Sequence, residues 1–290
     1  MSPDPFELDR RRIRAAFDAA VAGYDAVAVL QAEVRRRLLE RLDLVKIRPR
    51  RVLDAGCGTG RGARALLQRY RRTAVVALDL APGMLQAARH ERPWFRRYDA
   101  VCADAAQLPL ASGSVDLVFS NLMLQWCNDP GEVFAEFRRV LRPDGLLMFT
   151  SFGPDTLKEL RGAWRQADGY THVSRFIDMH DLGDALLRAG LQGPVMDMEH
   201  FTLSYDDVRS LMRDLKAMGA HNATAGRNRG LTGRGRLAAV EAAYEVQRRE
   251  GRLPATWEVV YGHAWAGAQG PPVRAGEEFA VPLSQVGRRR

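Results

Sequence analysis

The feature that most constrains this chain is a short apolar run, Arg51-Val52-Leu53-Asp54, that opens directly into Ala55-Gly56-Cys57-Gly58-Thr59-Gly60. A helical pattern resumes at Arg61 and continues to Tyr70. A buried strand, a glycine-rich turn and a helix in immediate succession form a loop that approaches a ligand with bare backbone. Glycines permit the tight turn and leave no Cβ between the chain and what it binds. A glycine triplet alone is weak, because turns use glycine everywhere. The spacing here is G-x-G-x-G and not the G-x-G-x-x-G of dinucleotide folds, which suits a cofactor without a pyrophosphate. Asp79 strengthens the reading. It ends the next apolar run, Val75 to Asp79, where a carboxylate can accept hydrogen bonds from both hydroxyls of a ribose. The competing role for Asp79 is to cap the helix that begins near Pro82.

The pattern around this loop is alternating. Strands are expected at 51–54, 75–79, 101–104, 115–120, 146–152, 196–203 and 257–265. Helices are expected between them, at 61–70, 82–89 and 130–141, then at 155–166 and 179–189. Such alternation implies βαβ units and a doubly wound, parallel α/β sheet, with seven strands expected. Residues 10–46 place Ile13, Phe17 and Val21, then Val27, Leu30, Val34, Leu38 and Leu42, at helical spacing, with a break expected at Gly23-Tyr24. The last two strands are separated by helical stretches at 206–218 and 236–250, too long for a simple connection. The expected organisation is an N-terminal helical cap (1–48), a core (49–204), an inserted helical substrate lobe (205–255) and a final core strand (256–266). A disordered tail (267–290) rich in Gly, Pro and Arg is expected to follow.

Composition narrows the setting. With 290 residues and 46% hydrophobic content, the chain can bury a full core. No apolar run approaches the roughly 20 residues needed to span a bilayer. The acidic, apolar-poor start at Met1 to Glu7 reads as neither a secretory signal nor an organelle presequence. Cys57, Cys102 and Cys127, odd in number and without ligand-like spacing, read as free thiols of a cytoplasmic protein with no metal. The net charge of +8 favours acidic partners, although a preference for arginine codons explains it without one.

Further candidates follow from position at strand ends, where open α/β sheets bind ligands. Asp104, with the Ala105 amide, can read an adenine edge, or it can simply cap the following turn. The fourth strand delivers Asn121 and Leu122 to the same edge. Gln125 and Trp126 follow one turn later, as a wall for the cofactor or as ordinary core.

Taken in order, these residues resemble the class I S-adenosylmethionine methyltransferase family over residues 50–152. The resemblance implies a Rossmann-like methyltransferase sheet and S-adenosyl-L-methionine as cofactor. Its amino-acid part would lie on Asp54, Gly56, Gly58 and Gly60, its ribose on Asp79 and its adenine on Asp104. Over residues 10–265 the chain further resembles the BioC family, malonyl-acyl-carrier-protein O-methyltransferases of biotin biosynthesis. This rests on Tyr24-Asp25 and Gln31, on Leu124-Gln125-Trp126-Cys127-Asn128-Asp129, on Phe152 to Leu160, on His172 to Phe176, on Leu215 to Asn222 and on Thr256 to Tyr261. It implies that Tyr24 and Gln31 lie beside the cofactor. The substrate would be the free carboxylate of malonyl-acyl carrier protein or malonyl-CoA. That carboxylate is ionised at neutral pH and attacks a methyl sulfonium without a general base, so the protein need supply only alignment and a cation. Arg175 is the expected cation, through a bidentate grip, with His172, His221 and Asn222 as further pocket candidates. An acidic carrier would dock on Arg227, Arg229, Arg234 and Arg236, unless that run is only a solvated face.

Two other readings compete. The later motifs also resemble complex I assembly relatives of the same fold, associated with arginine hydroxylation. The positive charge would suit a nucleic-acid module with a vestigial cofactor site, but no RNA motif, aromatic-and-basic stacking segment or CxxC pair accompanies it.

Overall fold

A computed structural model describes residues 4–228, 230 and 232–267. The chain enters through two helices, α1 (Arg10–Val27) and α2 (Val29–Arg41). Asp9 caps α1, its carboxylate accepting from the amides of Arg11 and Arg12 at 3.0 and 3.2 Å. The expected break at Gly23-Tyr24 is absent; the helices meet at Ala28. A glycine inside a helix costs only about 1 kcal/mol, and the helical hydrogen bonds run on until the Ala28 amide reaches the Tyr24 carbonyl.

The sheet follows as β1 (Arg51–Ala55), α3 (Arg61–Arg69), β2 (Ala74–Asp79), α4 (Pro82–His90), β3 (Asp99–Cys102), β4 (Val115–Ser120), α5 (Pro130–Val140) and β5 (Leu141–Phe152). The second half adds α6 (Lys158–Ala167), α7 (Met179–Arg188), β6 (Leu191–Tyr205), α8 (Val208–Ala217), α9 (Arg234–Glu245) and β7 (Leu253–Ala266). The strand order is β3-β2-β1-β4-β5-β7-β6, with β7 antiparallel to both neighbours. Along β1 successive side chains serve opposite faces. Val52 joins a core with Leu30, Val34 and Leu38, while Leu53 joins one with Phe134, Phe137 and Phe149. A sheet covered on both sides needs such continuous apolar strands.

Several boundaries differ from the sequence reading. Asp104 stands two residues beyond β3, in the turn and not on the strand. β5 starts five residues early, because Leu141 pairs with Val115 before a register shift carries the chain past Arg142 to Gly145. Within that shift Asp144 takes a left-handed backbone, φ 60°. α6 starts at Lys158 and not Asp155, since Leu157 is left-handed at φ 54° and starts the helix late. The proposed disordered tail lies, apart from Gly267, outside the described residues.

Between β6 and β7 the chain forms α8 and α9. α9 packs on α6 and α8 on α1. Met218 and Ala220, just past α8, reach the carboxyl edge of the sheet, where they wall a cleft.

Candidate active site

Strand order reverses between β1 and β4, and the crevice at such a switch point is where open α/β sheets hold ligands. The glycine loop occupies it. The amides of Gly56 and Cys57 both donate to the Leu78 carbonyl, at 2.8 and 2.9 Å, so the loop is folded onto the end of β2. Gly58 and Gly60 have φ of 52° and 83°. A Cβ at Gly60 would stand 2.3 Å from the Tyr98 hydroxyl, whereas one at Gly58 would meet nothing within 4 Å and point into open space. Gly60 is therefore glycine for packing, and Gly58 leaves room for a ligand.

Asp79 fastens the loop from below. One carboxylate oxygen accepts the Gly58 amide at 2.8 Å and the other the Ala81 amide at 2.9 Å. It thus holds the turn before α4, whose N-cap is Ala81 with no side-chain cap, so Asp79 does not cap the helix itself; it also lines the cleft. Burial raises its pKa, against the pull of those amides. Asp54, at the end of β1, is fully buried. Burial takes it from the ordinary 3.8 to about 7, only partly opposed by Arg35 and the Ala63 amide.

The N-terminal helices close the other side. Asp18 accepts the Gly83 amide at 2.7 Å, and Asp25 binds the Thr59 hydroxyl at 2.8 Å and Arg61 at 3.0 Å. Tyr24 and Gln31 line the cleft. Burial, then the nearby Asp79 charge, pushes the Tyr24 phenol up to about 12, so it remains a hydrogen-bond donor. Asn121 donates to the Gln31 carbonyl at 3.2 Å, and Thr150 joins Asn121 to the Leu122 amide. Leu122 itself is left-handed, φ 51°. Gln125 turns back to the Leu122 carbonyl at 2.6 Å. Trp126 meets Phe17 edge to face at 5.2 Å and belongs both to the wall and to a small core with Leu8 and Ile13.

Asp104 lines the cleft with Ala105, but its oxygens are engaged. One accepts the Ala106 amide at 2.9 Å, and the other pairs with Arg10 at 2.5 Å. The capping role is thus present in the turn, and the side chain also lines the cleft. Four buried side-chain atoms among the cleft and its adjoining cavity have no partner: Asp54 Oδ2, Gln31 Oε1, Gln125 Oε1 and Trp257 Nε1. Buried polar atoms left this way are costly unless a ligand completes them.

The residues expected to meet the substrate are elsewhere. His172 stacks on Trp164 at 3.6 Å and binds Asp168 at 2.8 Å. Asn222 ties the Thr171 carbonyl to the Thr224 amide and hydroxyl. Arg175 and His221 are exposed, and none of the four lines the cleft. Partial burial, with Lys216 and Arg12 nearby, lowers the His221 pKa. The motif is used to fold the segment between α6 and α7 against the turn after α8. Arg234 and Arg236 are exposed; Arg227 donates to the Thr224 carbonyl at 3.0 Å, and Arg229 lies outside the described residues. Sequence reasoning missed Arg10, Arg14, Phe152 and Trp257 as lining residues. Periodicity had signalled α1 as a helix facing the core, but not which ligand-facing edge it covers.

A family model described as a methyltransferase domain matches residues 53–149. Over 271 residues the chain is 58% identical to the malonyl-[acyl-carrier protein] O-methyltransferase of Methylovorus sp. strain MP688, covering 91% of this chain and 92% of that protein. The chain belongs to the malonyl-[acyl-carrier protein] O-methyltransferase family. The enzyme of that name from Laribacter hongkongensis strain HLHK9 is 59% identical over 276 residues, 92% of this chain and 93% of that protein. In fold the chain is similar to Haemonchus contortus phosphoethanolamine N-methyltransferase 2, solved with S-adenosyl-L-methionine. That match has a TM-score of 0.52 and 17% identity, covering 87% of this chain and 57% of that one.

Proposed function

We infer that this protein transfers the methyl group of S-adenosylmethionine to the free carboxylate of malonyl-acyl carrier protein, giving the methyl ester that starts pimeloyl synthesis for biotin. The observation that carries the reading is family membership at 58% identity across nearly the whole of both chains. The cleft fits the cofactor on its own terms. An open face at Gly58, a loop-bound carboxylate at Asp79 and unpartnered acceptors at Asp54, Gln31 and Gln125 match a ligand with hydroxyls and an ammonium.

When bound, the cofactor supplies an electrophilic methyl on a sulfonium. The protein's own residues do the rest. Glycines 56, 58 and 60 set the loop, Asp79 takes the ribose, and Asp104 with Ala105 faces the adenine. Asn121, Leu122, Gln125 and Trp126 form the wall, and Tyr24 and Gln31 the cover. The substrate carboxylate needs no base. Arg175 being exposed, its alignment falls to neutral donors of the cleft, the Trp257 indole and the Tyr24 hydroxyl, in surroundings from which Phe152 and Met218 exclude water. The exposed Arg234 and Arg236 give an acidic carrier protein a surface to meet. Incubation with malonyl-carrier protein and cofactor, read by intact mass, tests the assignment. A gain of one methyl group supports it; an unchanged carrier beside normal cofactor binding refutes the substrate.

A further inference from the structure

Continuous with the main cleft through Tyr24, Gln31, Gly58 and Asn121 lies a second, polar cavity, walled by α2, the end of β1 and the glycine loop. One cation in it has no direct partner among the described residues. Arg35, on α2, is half-buried, yet its guanidinium makes no hydrogen bond or ion pair to any described residue. Asp25, whose two oxygens bind Thr59 and Arg61, acts on it through charge alone and forms no ion pair with it. Burial lowers the Arg35 pKa, and the charges of Asp54 and Asp25 only offset this.

Across the same cavity stands Asp54, with Oδ2 unpartnered, and Gln31 Oε1 is unpartnered where cleft and cavity join. Arg35 and Asp54 attract one another without forming an ion pair. A partnerless cation and partnerless acceptors around one space are the complement of a zwitterion, a carboxylate beside an ammonium.

We propose that Arg35 holds the α-carboxylate of the methyl donor's amino-acid arm, while Asp54 and Gln31 accept from its α-ammonium. The proposal rests on the cofactor reading above and adds to it the side chain that recognises one end of that ligand. A planar guanidinium suits a carboxylate bidentately, and the partly dry cavity strengthens the pair.

Titration calorimetry on the full chain tests it with three ligands. S-adenosylhomocysteine carries the whole arm, decarboxylated S-adenosylmethionine keeps the ammonium alone, and 5′-methylthioadenosine has neither group. Arg35→Ala and Arg35→Gln are expected to weaken S-adenosylhomocysteine roughly 10- to 100-fold, the range for a hydrogen bond to a charged group. Both variants should bind the two ligands lacking a carboxylate as wild type does, and Arg35→Lys should fall between. Wild-type affinity for S-adenosylhomocysteine in Arg35→Ala overturns the proposal. Equal losses for S-adenosylhomocysteine and 5′-methylthioadenosine do so too, by making Arg35 structural. If the alanine variant fails to fold, the wild-type protein decides: no preference for S-adenosylhomocysteine over both truncated ligands overturns the assignment. Wild-type protein that binds none of the three overturns the cofactor reading itself, an outcome distinct from those above.

Discussion

Replacing Asp79 by alanine tests the centre of the site, because one side chain is asked to do two things. Its oxygens accept the Gly58 and Ala81 amides at 2.8 and 2.9 Å, and each keeps a lone pair toward the cleft. A hydrogen bond to a charged group is worth about 1.5–3 kcal/mol. On the proposed ribose assignment, Asp79→Ala therefore weakens S-adenosylhomocysteine by about 10- to 150-fold. Folding suffers less than two lost backbone contacts suggest. Burial already disfavours the ionised carboxylate, so removing it relieves part of what the two orphaned amides lose. A net destabilisation of about 1–3 kcal/mol is expected. Calorimetric titration gives the first quantity and urea unfolding of the ligand-free protein the second. Undiminished affinity in a folded Asp79→Ala protein would refute the ribose assignment. Undiminished stability would show that the loop does not depend on its two amide contacts.

Three further outcomes follow. Gly58→Val, at φ 52° with open space before its Cβ, should strain the backbone by about 1–3 kcal/mol, still fold, and fail to bind S-adenosylhomocysteine; normal binding would place the ligand elsewhere. Asp54 has a folded-state pKa of about 7, above its ordinary 3.8, so its contribution to stability is complete below pH ~4 and is lost as pH rises through 7. Urea unfolding at pH 5 and pH 8 should show wild type losing ground relative to Asp54→Asn at the higher pH, by at most about 2–3 kcal/mol, and a constant difference would contradict the buried carboxyl. Arg175→Ala, at an exposed position outside the cleft, should change stability by no more than about 0.5 kcal/mol and leave single-turnover methyl transfer near wild type; a loss of several orders of magnitude would return it to the substrate.

The sheet was legible because its signals are local and redundant: apolar runs end in Asp54, Asp79 and Asn121, and glycines mark the loop between strand and helix. The ligand-facing edge of β1 and β4 follows from strand order, which alternation implies. What the sequence did not disclose depends on contacts between distant segments. Whether an arginine is paired cannot be read from spacing, and Arg35 and Arg175 look alike in the chain although one faces a cavity and the other solvent. His172 and Asn222 were chosen for their chemistry, yet stacking on Trp164 and bonding to Thr171 and Thr224 use them in packing. Gly23 misled for the opposite reason: a local helix breaker was overridden by the helical hydrogen bonds that run past it to the Ala28 amide.

The position of β7 has a consequence for biosynthesis. It is the last in the chain of the seven strands described, yet it sits between β5 and β6, which pair with it and not with each other. Until Leu253–Ala266 is available, β5 offers a bare edge from Gly145 to Phe152, and β6 an edge along most of its length. Trp257 and its unpartnered indole reach the cleft only with this strand. A nascent chain can therefore assemble the glycine loop early, but Trp257 joins the cleft only with β7, and a chain stopped before Leu253 keeps five paired strands with a bare β5 edge, prone to aggregation and without a complete cleft.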